Sequence, residues 1–121
     1  MNIKLNNNTI EINANLNVAF KLQERFQMPY MKVIEHITTK EAKIDEQIKF
    51  LFICYQNGGG TLSEQEFGEQ LLSCNGISQI NEYLEQMILN LQYPGMSEAE
   101  IEEELKKKIA RLKRMSSIGI Q

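Results

Sequence analysis

Histidine, cysteine and proline are all scarce in this chain of 121 residues, which carries one His, two Cys and two Pro. A single imidazole and two thiols without CxxC spacing leave too few ligands for a zinc site. The two cysteines are not expected to pair. Cys54 lies near the end of one predicted helix and Cys74 near the far end of the next, so an antiparallel corner holds them on the order of 10 Å apart, beyond disulfide reach. Both read as small packing residues in a reducing compartment. No apolar run approaches the roughly 20 residues of a membrane span. The opening MNIKLNNN has no apolar core of signal-peptide type, so the chain is expected to be made and kept in a cytoplasm. Basic excess is also missing, and a net charge of −3 gives no general attraction to nucleic acid or an anionic membrane.

Recognisable catalytic groupings are missing as well. GGGT at 58–61 lacks the Lys-Ser/Thr that grips phosphate and magnesium. His36 stands beside Glu35 and Ile37 in an amphipathic segment and reads as a surface or packing residue. Nothing in the pattern places two carboxylates across a cleft. The expectation is a non-enzymatic chain with no metal and no cofactor.

What is present is the composition of an ordinary soluble domain, 42% hydrophobic and 24% charged, at a length that suits one domain rather than two. One stretch does spell like a site. In YQNGGGTLSEQEF, Tyr55 to Phe67, placing Gly60 sixth in an EF-hand loop puts Glu66 twelfth, Thr61 seventh and Ser63 ninth. The spelling fails where charge is needed, because the first, third and fifth places are Tyr55, Asn57 and Gly59. One carboxylate is too little to offset dehydration of a divalent cation. The stretch reads instead as a corner: Asn57 to Gly60 end one helix, and Ser63 with Glu66 form a capping box that starts the next.

The expected fold is mainly α, a small helical domain of about five to six helices with a short N-terminal β-hairpin. Residues 1–13 form the hairpin, 14–95 the helical core, and 96–121 a charged C-terminal helix and tail. Ile3 and Leu5, then Ile10 and Ile12, alternate with polar neighbours at the period of a half-buried strand, across an Asn6-Asn7-Asn8 turn. Leu16, Val18, Ala19, Phe20, Leu22 and Phe26 then make one broad apolar helical face that Pro29 ends. A short helix around Met31, Val33, Ile34 and Ile37 follows. Thr38 with Glu41 spells a capping box for a helix carrying Ile44, Ile48, Leu51, Phe52 and Tyr55. Ser63 opens a helix with Phe67, Leu71 and Leu72, closed by Asn75-Gly76 as a C-cap signal. Ile77, Ile80, Leu84, Met87, Ile88 and Leu91 recur at steps of three and four until Tyr93-Pro94-Gly95.

Ser97 and Glu100 cap a last helix, EIEEELKKKIARLKR, whose glutamates crowd its start and whose cations crowd its end, complementing the helix dipole. Glu102 to Lys106, Glu103 to Lys107 and Glu104 to Lys108 have i,i+4 spacing. Its apolar stripe, Ile101, Leu105, Ile109 and Leu112, is narrow, closer to a seam for a partner chain than to a core face, and Met115, Ile118 and Ile120 extend it; a last helix simply packed on the domain is the competing reading. These four positions are the expected partner-binding residues.

The succession NIKLNNNTIEI, NLNVAFKLQERFQMP, KIDEQIKFLFICYQNGGG, LSEQEFGEQLL and a charged last helix resembles the tail assembly chaperones of long-tailed bacteriophages and prophages, over nearly the whole length. The resemblance implies a non-enzymatic protein of the infected bacterial cytoplasm that binds the tape-measure protein, helps recruit tail-tube subunits and is left out of the mature virion. Many members are also made in a longer, frameshifted form. Two other readings compete. One is a self-associating helical module. The other, a nucleic-acid-binding regulator, is disfavoured because its would-be reading helix, Ile77–Gln92, carries Glu82 and Glu85 and no cation.

Overall fold

The computed structural model describes residues 1–6, 8–39, 41–93, 97, 99–100, 102–104, 106–108 and 110–111. Two strands, β1 (Asn2–Leu5) and β2 (Asn8–Glu11), pair antiparallel with Ile3 opposite Ile10 and Leu5 opposite Asn8. Alternation buries Ile3 and Leu5 on one face, as the period of two requires. Asn6 takes the left-handed conformation, φ 49°, that asparagine tolerates in a tight turn.

Five helices follow: α1 (Leu16–Phe26), α2 (Tyr30–Thr38), α3 (Ile44–Asn57), α4 (Glu64–Cys74) and α5 (Ile77–Gln92). Helical conformation resumes at the described residues between 99 and 111, so the mainly α fold with an N-terminal hairpin is as the sequence patterning predicts. Asn15 starts α1 by accepting the Val18 N–H, the ordinary N-cap bond. The helix ends before Pro29, at Gln27, which adopts φ 55° and donates its side-chain amide to the Glu24 carbonyl at 2.7 Å. Ser63 caps α4 by accepting the Glu66 N–H, and Ser97 does the same for Glu100. In both pairs the serine hydroxyl also donates to the glutamate carboxylate.

One cap differs from its sequence reading, and a second closes its helix where expected but by a side chain. Thr38 does not open α3: its hydroxyl turns back to the Ile34 carbonyl at 2.9 Å and ends α2. The start of α3 is set five residues later than a Thr38–Glu41 box requires, with the Lys43 N–H donating to the Glu46 carboxylate at 3.1 Å. Asn75-Gly76 closes α4 without a left-handed residue, since Asn75 is extended at φ −134° and Gly76 already leads α5. The closing group is the Asn75 side chain, which donates to the Leu71 carbonyl at 2.9 Å.

The core draws on β1 and all five helices, with Ile3, Leu5, Val18, Leu22, Val33, Phe50, Leu51, Phe67, Leu71 and Ile80 fully buried. Packing is close between α1 and both α2 and α3, between α3 and both α4 and α5, and between α4 and β1. The outer edge of β1 is covered by side chains rather than by a third strand. Asn75 donates to the Lys4 carbonyl at 2.8 Å, and Tyr83 donates to Asn75 while accepting the Lys4 N–H at 3.4 Å. No helix of the described residues is long and apolar enough to cross a membrane.

Candidate functional site

The stretch that spells like a cation loop is filled by its own first residue. The Tyr55 ring stacks on Phe67 at 4.8 Å, and its hydroxyl accepts the N–H groups of Thr61 and Leu62, each at 3.0 Å. Two turn donors are thereby satisfied by a phenol. The chain follows the ring so closely that a Cβ on Gly60 would lie 2.2 Å from Tyr55 Cζ. Gly59 supplies the one left-handed glycine of the turn, φ 93°. Asn57 ties the corner to the start of α1, donating to Asn13 at 2.8 Å and accepting from Asn17 at 3.3 Å.

The cysteines part company. Cys54 is fully buried, and burial pushes its thiol far above the ordinary range, which makes it inert. Cys74 is half-buried, and its Sγ accepts the Asn6 N–H at 2.9 Å beside the hairpin turn. His36 is half-exposed and meets Glu46 at 2.6 Å, joining α2 to α3. The Lys43 N–H and then this His36 contact hold the Glu46 carboxyl below the ordinary glutamate value.

Ile101, Leu105, Ile109 and Leu112, the expected partner-binding stripe, lie outside the described residues, as does the tail carrying Met115, Ile118 and Ile120. Of their neighbours, Glu102 lines a cleft of about 220 Å³ with Met1, Asn2, Tyr83 and Gln86, so this part of the chain faces β1 and one side of α5. Lys107 reaches Glu104 at 3.7 Å.

The opposite side of α5 holds the surface best suited to binding. α2 and α5 are not among the closely packed pairs; α2 packs on α1, and α5 on α3. Between them lie two clefts. One, of about 430 Å³, is lined by Ile37, Thr38, Ala42, Ile77, Asn81 and Glu85 among others; the second, of about 360 Å³, by Tyr30, Met31, Ile34, Leu91, Gln92 and Tyr93. Ile34 and Ile37, one turn apart on α2, and Leu84 on α5 line these clefts but are themselves buried, so the apolar surface left open lies at the rim.

Large apolar side chains stand open at both ends of this groove. Ile77 is 71% exposed, Met31 50%, Tyr93 51% and Tyr30 40%. Leu16 and Phe20, one turn apart on α1, are also exposed, and Gln23 of the same helix accepts the Tyr30 N–H at 3.2 Å. The sequence pattern places Leu16, Phe20, Met31 and Ile77 at apolar helical positions, and the structure leaves all four exposed. Each belongs to a helix with more apolar positions than its neighbours can cover, and the surplus is left in water. That surplus was the signal available in the sequence. Among the described residues no group of three or more His, Cys, Asp or Glu side chains is placed to hold a metal ion. No protein-family model matches the chain, and neither a curated protein nor a solved structure matches it.

Proposed function

We propose that this chain is a non-enzymatic tail assembly chaperone of a long-tailed phage or prophage, acting in the bacterial cytoplasm on the tape-measure protein and helping to recruit tail-tube subunits. The observation that carries the reading is the pair of clefts between α2 and α5, rimmed by the exposed apolar side chains of Tyr30, Met31, Ile77 and Tyr93. A protein that keeps a long helix-rich chain soluble needs an amphipathic surface to cover it, and a groove between two helices is the economical form of one. The order of hairpin and helices that underlies the resemblance supports the same reading.

Co-expression with the tape-measure protein of the same phage or prophage tests it. The expected result is recovery of that otherwise insoluble chain in the soluble fraction and its co-purification with the tagged protein. Two well-expressed proteins with neither rescue nor co-purification would overturn the reading. A self-associating helical module is the second reading, favoured by exposed Leu16 and Phe20 on α1. Light scattering that shows a fixed oligomer across concentration would establish it instead.

A further inference from the structure

The chain contains two Asn-Gly pairs, Asn57-Gly58 and Asn75-Gly76, and this dipeptide carries its own chemistry. A glycine nitrogen has no Cβ beside it to shield it, so it can reach the side-chain carbonyl carbon of the asparagine before it. The fold sets the two pairs in opposite backbone states. Asn57 is the last residue of α3, and the Gly58 N–H is engaged by the Cys54 and Tyr55 carbonyls, each at 3.2 Å. Gly58 is also crowded, since a Cβ there would lie 3.0 Å from the Glu11 carbonyl oxygen. Asn75 lies between α4 and α5 in extended conformation, φ −134° and ψ 136°. Among the described residues nothing accepts the Gly76 N–H. Gly76 is exposed, and a Cβ there would meet nothing within 4 Å.

We infer that Asn75-Gly76 is a site of spontaneous modification in the folded protein, where Asn75 deamidates through a succinimide and so releases the outer edge of β1, while Asn57-Gly58 is protected. The Gly76 nitrogen loses its proton to hydroxide and attacks Asn75 Cγ. The new Cγ–N bond forms, the Cγ–Nδ2 bond breaks, and ammonia leaves with a proton from water. Water then adds to either carbonyl carbon of the ring and opens it, giving an aspartyl or an isoaspartyl linkage. The step consumes only water, and nothing is oxidised or reduced. The bonds of the Asn75 side chain act as the brake. Its amide donates to the Lys4 and Leu71 carbonyls at 2.8 and 2.9 Å, and its oxygen accepts from Tyr83 at 2.9 Å. Cγ therefore meets the Gly76 nitrogen only when this lock opens locally. Once the amide is lost the lock cannot re-form, because a carboxylate has no N–H to offer and would face the Lys4 and Leu71 carbonyl oxygens instead.

The test is incubation of the full chain in mildly alkaline buffer, with both asparagines read separately by peptide mass mapping and isoaspartyl methylation. The folded chain is expected to accumulate a species one negative charge beyond its starting −3, with the change at Asn75 and none at Asn57. In urea both sites should convert at similar rates, since the fold no longer distinguishes them. Gly76→Ala fits the open space there, so it should leave circular dichroism and melting unchanged while suppressing the acidic species, because its Cβ hinders the attacking nitrogen. Asn75→Asp, which supplies the product directly, should quicken amide exchange along β1. Four results would overturn the inference. They are an unmodified Asn75 in the folded chain, equal conversion of Asn57 there, undiminished conversion in Gly76→Ala, and unchanged β1 exchange in Asn75→Asp.

Discussion

The α3–α4 corner and the α2–α5 groove use similar materials, aromatic and aliphatic side chains on neighbouring helices, and arrive at opposite arrangements. At the corner Phe52, Tyr55 and Phe67 lie within 6.1 Å of one another, centroid to centroid, and Tyr55 also meets two backbone donors. Each large ring there has a partner on every side. Along the groove, Tyr30, Met31, Ile77 and Tyr93 have a floor but no cover. Packing that is complete within one chain gives rigidity, whereas apolar surface left incomplete stores binding free energy for a second chain.

Substitutions can break this contrast, beginning where the effect is largest. Gly60→Ala should cost about 2–4 kcal/mol, because Tyr55 is buried, stacked and hydrogen-bonded and has no room to yield to a new Cβ. Urea denaturation measures this; a loss below about 0.5 kcal/mol, the scale of ordinary surface substitutions, would mean the corner is as adaptable as the groove. Asn75→Ala should cost about 1–3 kcal/mol, since it strands the Lys4 carbonyl and the Tyr83 hydroxyl together. Amide exchange along β1 should quicken with it, and unchanged protection there would show that the hairpin is held by apolar contacts alone.

The smallest effect concerns the junction of α2 and α3, where His36 meets Glu46. Glu46 has a lowered pKa in the folded chain, so its contribution to stability is present above the ordinary glutamate value and is lost as pH falls through the folded value. Glu46→Gln should therefore flatten the decline in melting temperature below about pH 4.3, with little change in slope near neutrality. An acid limb identical to that of the unmodified chain would show that the His36–Glu46 contact does not tie α2 to α3.

Much of this architecture was legible in the sequence because its signals are local. The strands follow from Ile3 and Leu5 alternating with polar residues, α4 from Ser63 and Glu66, and α5 from its repeated steps of three and four. The groove was not, because periodicity identifies an apolar face without saying whether a neighbouring helix comes close enough to bury it. Met31 and Ile77 carry the same apolar signature as Ile37 and Ile80, and only the spacing of α2 and α5 separates them. The Thr38–Glu41 cap failed for a related reason: a threonine at a helix end closes the preceding helix as readily as it opens the next, and its own back-bond decides.

The lock that Asn75 and Tyr83 place on Lys4 has a consequence for the order of events during synthesis. These bonds join groups 71 and 79 residues apart in the chain. The ribbon emerges first, yet its outer edge gains those partners only after α5 has been translated, about 4–16 s later at ordinary elongation rates. Until then an unpaired strand edge stands open on the nascent chain, protected by its shortness and by the exposed lysine at its centre. A ribbon translated ahead of all five helices is thus among the last elements to be secured.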